Sequence, residues 1–336
     1  MTTEDDLWTA LVRAAREAGG RGEPEVLSDR EDAVVVRIGE IVVKAHPADT
    51  DAAALRARLG LAADPGSGRI LLAPIAIGDN LYRIGAGRPI TAWPYGRPVD
   101  PDEPDAAPWE QAAELLARLH SVTSAPPGDD SGRSNGAASG LRTEDRHPTA
   151  SGPATEPLPH PRAHIELPVA GGPARVRRAL ARLRAHASEH RSAAEVVLRA
   201  YATLPPLTQA PKTLVHGDFH LGQLIRPSAL GEWRLVDVDD LGLGDPVWDL
   251  ARPAAFFAAG ILDPVAWQRF LTAYRSAGGR AVPRDGDVWE ALDVPARALV
   301  IQAAALAIAK AGPALDEFDL ALIDCCRRMT TLTYRG

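Results

Sequence analysis

Apolar residues recur at helical spacing over residues 3–19, with Leu7, Leu11, Val12 and Ala15 on one face and Gly19-Gly20 ending the pattern. The period then shortens. Residues 26–27, 34–38 and 41–45 are short apolar runs that predict strands, the last two joined by a tight turn at Gly39-Glu40, and Pro47 ends the third. Residues 49–63 return to helical spacing with Leu55, Leu59 and Ala62 facing inward, and 70–77, 81–84 and 90–93 predict further strands. Residues 1–96 therefore predict a small lobe: an N-terminal helix, an antiparallel sheet and one helix among its strands.

Beyond Gly96 the pattern is mostly helical. Residues 97–122 carry a connection and the helix 109–120, and residues 163–336 predict a larger lobe with helices over 173–202, 246–259, 264–277, 288–310 and 314–329. Pro295 is expected to break or restart the fourth of these. Between the two parts, residues 123–162 are rich in Pro, Gly and Ser with scarcely a large apolar side chain, so they bury too little to offset their ordering and predict a disordered insertion, or a lid over the substrate. No internal repeat is visible. The class is α+β.

One stretch breaks the helical pattern of the large lobe. Residues 214–250 read LVHGDFHLGQLIRPSALGEWRLVDVDDLGLGDPVWDL, in which the apolar pairs Leu214-Val215 and Leu235-Val236 each run into an acidic loop, with Leu224-Ile225 between them and Pro227 and Gly231 supplying a turn. A hairpin of this kind holds Asp218 at one tip and Asp237 at a neighbouring one, with Gln223 five residues after the first acid. An acid, an amide oxygen and a second acid then converge. A hard cation such as Mg²⁺ takes oxygen ligands of this kind together with substrate phosphates, which Gln223 and Asp237 can offer, and Asp218 is left to act as a base. Phosphoryl transfer needs that division of labour, being mostly positioning and charge neutralisation.

Composition narrows the partners. The chain has 336 residues, enough for two lobes, with 46% hydrophobic and 24% charged residues, which is ordinary for a globular protein. A formal net charge of −7 argues against a nucleic-acid partner. Cys325 and Cys326 are adjacent, so no disulfide framework is expected, and the N-terminus has neither the basic nor the apolar region of a signal peptide. The longest apolar run, 298–309, is interrupted by Gln302 and is short for a membrane span. These features predict a cytoplasmic protein without a membrane partner. His216 and His220 flank Asp218 at a spacing open to zinc, but a closed site lacks its remaining donor. Asp237-Val238-Asp239 alone would also suit a metal-dependent glycosyltransferase, which would want a nucleotide-sugar domain ahead of it. A basic face, Arg175, Arg177, Arg178, Arg182 and Arg184, reads as solvated or as a patch for an anionic partner.

The motifs His216-Gly217-Asp218-Phe219-His220-Leu221-Gly222-Gln223, Asp237-Val238-Asp239-Asp240 and Gly244-Asp245-Pro246-Val247-Trp248-Asp249-Leu250-Ala251 resemble those of the aminoglycoside phosphotransferase and choline kinase family, a branch of the bilobal protein-kinase-like fold. The resemblance implies Asp218 as catalytic base, Asp237 as metal-binding acid and position 223 as second metal ligand. The family usually carries Asn at that place; Gln223 looks like the maltokinase-type branch with its HGDxHLGQ motif. Asp245 and Asp249 are implied to tie the loops together. Asp239 and Asp240 are open to metal, acceptor or solvent.

In the small lobe the resemblance places Lys44 on the α- and β-phosphates of a nucleotide. Asp51 is the nearest match to the helix acid that pairs with this lysine, and is equally suited to cap its helix. Ser28 lies in the phosphate loop 28–32, which lacks glycine here and carries three acids. The backbone of 92–95 would meet the base edge at the hinge, with Trp93 and Tyr95 either beside the nucleotide or in the core. The expected activity is transfer of the γ-phosphate of ATP or GTP to a hydroxyl of an amino sugar, sugar or related natural product, assisted by Mg²⁺. Two alternatives stand beside it: a nucleotide-binding pseudokinase or partner subunit, and a kinase of peptide Ser or Thr hydroxyls dependent on a peptide or protein partner.

Overall fold

The helical period at the N-terminus becomes α1 (Thr3–Glu17), whose Leu11, Ala14 and Ala15 are fully buried against a five-stranded antiparallel sheet. The sheet consists of β1 (Pro24–Asp29), β2 (Val34–Ile38), β3 (Ile41–Ala45), β4 (Tyr82–Gly85) and β5 (Arg88–Pro94), in the order β1-β2-β3-β5-β4. Alternation along β3 puts Ile41, Val43 and Ala45 inside and leaves Lys44 on the other face. The β2–β3 turn passes through Gly39 at φ +62°, where a Cβ would overlap the Arg21 carbonyl. Between β3 and β4 lies α2 (Ala52–Ala63), which Asp51 caps.

The computed structural model describes residues 3–30, 33–122, 167–186, 189–208, 213–312 and 314–331, all within one structural unit. The expected insertion at 123–162 lies outside the described residues, as do Glu31 and Asp32 of the expected phosphate loop.

The larger part begins with β6 (Gly96–Pro98) and α3 (Trp109–Ser121), followed by α4 (Gly172–His186), α5 (Arg191–Ala202), β7 (Thr213–Val215), β8 (Leu224–Pro227), β9 (Arg234–Leu235) and β10 (Gly242–Gly244). It closes with α6 (Val247–Ala258), α7 (Pro264–Ser276), α8 (Trp289–Lys310) and α9 (Glu317–Thr331). The single helix expected over 173–202 is thus two, α4 and α5. Pro295 does not break α8, which runs through it with Pro295 buried. The helix forgoes one backbone bond there, and packing of its flanks on α4, α6 and α9 holds it together. Among the described residues α8 is the one helix long and apolar enough to cross a membrane, and its Leu292, Ala296, Val300 and Ile301 are buried inside the large lobe.

The strand expected at 70–77 does not form. Pro74 removes a donor from its middle, and the two halves go separate ways: Leu72 N–H reaches Leu235 O at 2.8 Å in the large lobe, while Ile75 N–H reaches Ala92 O at 2.8 Å in the small sheet. The apolar interior divides accordingly. A small cluster lies between α1 and the sheet, and the large one contains the C-terminal helices together with Ile70–72 and the inner face of α2, Leu55, Leu59 and Ala62. The helix that follows β3 is therefore packed with the large lobe.

Candidate active site

Two short antiparallel ladders bring the acidic loops together. β7 pairs with β10, Leu214 opposite Leu243, and β8 pairs with β9, Leu224 opposite Leu235. The loop 216–223 therefore leaves β7 beside the loop 237–240, which leaves β9. His216 Nε2 bonds Val236 O at 2.8 Å and ties the first loop to the residue before Asp237. Gly217 sits at φ +84°, where any Cβ would overlap the Asp240 carbonyl, so this position of the motif requires glycine.

Asp249, on α6, locks the first loop from below. Its Oδ2 accepts the His216 N–H at 2.7 Å and its Oδ1 the Gly217 N–H at 2.8 Å, and His120 Nε2 of α3 lies 3.0 Å from Oδ2. His120 Nδ1 is 2.7 Å from the Tyr274 hydroxyl, which itself accepts the Ala281 N–H at 3.1 Å. Tyr274 thus donates to Nδ1 and His120 donates Nε2–H to Asp249. Burial alone would raise Asp249, but the His120 bond and the His216 amide together hold its carboxyl below the usual range.

Asp237 occupies the left-handed region, φ +62° and ψ +74°, a conformation that a non-glycine residue keeps only where its surroundings dictate it. Those surroundings are specific. Lys44 Nζ bonds Asp237 Oδ1 at 2.7 Å and Asp239 Oδ2 at 2.8 Å, and the Gln223 amide donates to Asp237 Oδ2 at 3.2 Å. Desolvation works against the charge on Lys44, yet Asp237 and Asp239 overcome it and raise the ammonium above its ordinary value. Burial likewise opposes both carboxylates, and Lys44 holds both below the usual range. Asp239 is bonded further by His46 Nδ1, 3.1 Å away, whose Nε2 lies 2.9 Å from Thr91 Oγ1; Trp93 Nε1–H donates to the same hydroxyl at 2.9 Å. Each group in this chain donates once, from Trp93 through Thr91 and His46 to Asp239.

Asp218 faces two guanidiniums, Arg252 to Oδ1 and Arg175 to Oδ2, each at 2.6 Å. Arg175 also pairs with Asp240, and Arg178 reaches the same carboxylate at 3.4 Å. Burial pushes the Asp218 carboxyl above its ordinary value, and Arg175 and Arg252 offset part of that rise. A narrow cavity opens beside it, with Gly172, Arg175, Trp248, Arg252 and Gln302 in its wall.

The structure therefore brings Lys44, Gln223 and Asp237 together and sets Asp218 on the adjoining loop. It does not bring Asp51 to Lys44. The Asp51 carboxylate caps α2 by accepting the Ala53 and Ala54 amides at 2.8 and 3.1 Å, and the lysine pairs with Asp237 and Asp239 instead. Ser28 is not in the loop but in β1, opposite Val35 of β2. Trp93 is buried at 9% exposure in the core, and the Tyr95 ring lies under the Arg37 guanidinium, 3.5 Å from its centroid. The Tyr95 N–H is already bonded to Glu40 O at 2.8 Å, so it is not free for a base edge.

Sequence reasoning missed His46 and Arg252 and treated Arg175 only as part of a basic face. Arg252 was within reach: it lies three residues after Asp249, hence on the same face of α6. Among the described residues no three His, Cys, Asp or Glu side chains gather as a metal site. The oxygens of Asp237 and Gln223 are hard donors that fit Mg²⁺ only if other oxygens, such as those of a polyphosphate, complete the set.

One protein-family model, that of the phosphotransferase enzyme family, matches residues 23–292. No curated protein matches the chain. Solved structures do: a choline/ethanolamine kinase family protein from Mesorhizobium loti, at 15% identity and TM-score 0.53, is matched over 98% of this chain and 94% of that one. A microcompartment-associated aminopropanol kinase, at 16% identity and TM-score 0.51, is matched over 96% of each chain. A thermostable mutant of an aminoglycoside phosphotransferase, at 12% identity and TM-score 0.51, is matched over 96% of this chain and 98% of that one. At such identities the likeness is one of fold, the bilobal protein-kinase-like fold.

Proposed function

The chain belongs to the phosphotransferase enzyme family, and from that membership we propose that it moves the γ-phosphate of ATP or GTP to a hydroxyl of a small molecule. The observation that carries this reading is the meeting of Lys44, from the small sheet, and Gln223, from the large lobe, on the carboxylate of Asp237. A cation from one lobe and oxygen donors from the other are what a polyphosphate between them requires.

Lys44 binds the phosphates from above, and Asp237 with the Gln223 amide oxygen would hold Mg²⁺ from below. A Mg²⁺ held by these residues would supply neutralisation of the charge that develops on the phosphates. Gln223 must turn its amide so that the oxygen, not the nitrogen, faces the cation. Asp218 accepts the proton of the acceptor hydroxyl as the oxygen attacks in line, and its raised pKa makes it a stronger base than an exposed aspartate. Asp249 keeps the loop in place by holding the His216 and Gly217 amides.

Titration calorimetry with ATP and GTP, each with and without Mg²⁺, tests the donor site. Binding that depends on Mg²⁺ and is lost in Asp237→Ala is the expected result; a wild type that binds neither nucleotide sinks the reading.

A further inference from the structure

Resting on that reading, we propose that the acceptor is a small hydroxylated anion, a carboxylate or phosphate monoester, bound through Arg252 and Arg175, and that amino sugars are excluded. A base that is to receive a proton needs an oxygen open to the hydroxyl. Both oxygens of Asp218 instead carry a guanidinium at 2.6 Å. These arginines are not surface side chains: those of Arg175 and Arg252 are 23% and 17% exposed, and the Nε of each is buried without a hydrogen-bond partner. Such a donor is costly to leave unpaired, and an oxyanion is the group that satisfies it.

The cavity confirms the sign of the charge it is built for. Arg175 and Arg252 set two positive charges in its wall against the one negative charge of Asp218, and the first turn of α4 adds its positive end at Gly172. Asp240, the other nearby acid, is occupied by Arg175 and Arg178. An ammonium group would meet two guanidiniums there. Gln302, on α8, is 2% exposed and lines the cavity, where its side-chain amide can serve a further oxygen of the ligand. Phe219, Trp248 and Leu299 supply an apolar wall for a short carbon chain.

Binding and activation are then one event. The acceptor's anion takes Arg252 as its partner, Asp218 loses one of its two guanidiniums, and the freed oxygen receives the hydroxyl proton while the hydroxyl oxygen forms its bond to phosphorus and the nucleoside diphosphate leaves. A neutral alcohol leaves both arginines on Asp218.

The full chain is titrated, with and without ADP and Mg²⁺, with short-chain hydroxy acids and glycerol phosphate, each beside its neutral counterpart, the primary amide or glycerol, and with an amino sugar; phosphate transfer from ATP to each is followed by phosphorus NMR. At least one anion is expected to bind and to be phosphorylated with about a tenfold or greater preference over its neutral counterpart. The acid and phosphate arms distinguish the two sources of the oxyanion. In Arg252→Gln, with nucleotide binding retained as proof of folding, the preference falls to near unity. Neutral compounds or the amino sugar handled as well as the anions, or no anion bound at about 10 mM, would overturn the proposal. Nucleotide binding is read separately: its absence sinks phosphotransfer itself, whereas its presence without anion preference sinks only the acceptor assignment.

Discussion

A carboxylate that takes a proton from a hydroxyl has to meet that hydroxyl, and its own neighbours decide when it can. For Asp218 those neighbours are Arg175 and Arg252, so its two roles, ion-pair partner and base, compete for the same oxygens. Asp218→Asn keeps the shape and removes the base. Turnover should fall by about 10²–10⁴-fold, as for loss of a positioned general base, while nucleotide affinity by calorimetry stays within a few-fold. A matching fall in nucleotide affinity would move Asp218 from the acceptor side to the donor side. His220, two residues on, reports the same charge from another angle. Burial first, and then Arg252 and His216, lower its pKa from the ordinary 6.5 to about 4, and its unprotonated Nδ1 accepts the Gly222 N–H at 3.1 Å. Between those two values the unfolded chain binds more protons than the folded one, so stability rises with pH across the window and this group adds nothing further above 6.5. Thermal melts from pH 7 down to pH 4 should show the wild type losing more stability than His220→Asn, whose side-chain oxygen can still take the Gly222 amide; parallel curves would place His220 in water.

At the scale of elements, the acidic hairpin is rigid because short strands with few bonds of their own are fastened by side chains from distant helices. Asp249 on α6 and His120 on α3 carry that fastening. The close passage of the loop over Asp240 is possible only at glycine, so Gly217→Ala, strained both by its positive φ and by contact with a carbonyl, should cost at least about 2 kcal/mol, read as a lower denaturant midpoint. An unchanged midpoint would mean the loop can relax away from Asp240. Much of this architecture was legible in the chain. β2 and β3 came out at their observed bounds because period-two alternation and a glycine turn agree, and the grouping of Gln223 with Asp237 followed from strand ends meeting loops. Residues 70–77 were misjudged because an apolar run says nothing about where its backbone bonds go once Pro74 interrupts it. Of the two readings open for Asp51, partner of Lys44 and cap of its helix, chain distance and chemical type allowed the first, but the helix start claims its carboxylate and the second holds. The arginines beside Asp218 were hidden for a different reason: which face of α4 meets the loop is decided by packing across a long chain separation that spacing cannot reveal.

For the whole molecule, the question is how the two lobes share a charge before a nucleotide arrives. Lys44 belongs to β3, and its partners Asp237 and Asp239 belong to the large lobe, so one ammonium spans the cleft; Arg58 of α2 adds a second tie through the Leu241 carbonyl at 2.8 Å. Phosphates that enter the cleft must compete with these carboxylates for Lys44. Asp237 stays useful to them as a ligand for Mg²⁺, but Asp239, held from behind by His46, offers only repulsion. Replacing it with Asn removes one negative charge from the path of the phosphates and leaves a side chain that still bonds His46. Nucleotide without Mg²⁺ should then bind Asp239→Asn about tenfold more tightly than wild type, since charges a few ångströms apart near a protein surface interact by about that much or more. The same variant should melt slightly lower, because Lys44 has lost a partner. Calorimetry with and without Mg²⁺ separates this from the other role an acid at that place can have: if Mg²⁺-dependent binding collapses while Mg²⁺-free binding is unchanged, Asp239 is a ligand of the metal, and the lysine clamp is not what the nucleotide has to open.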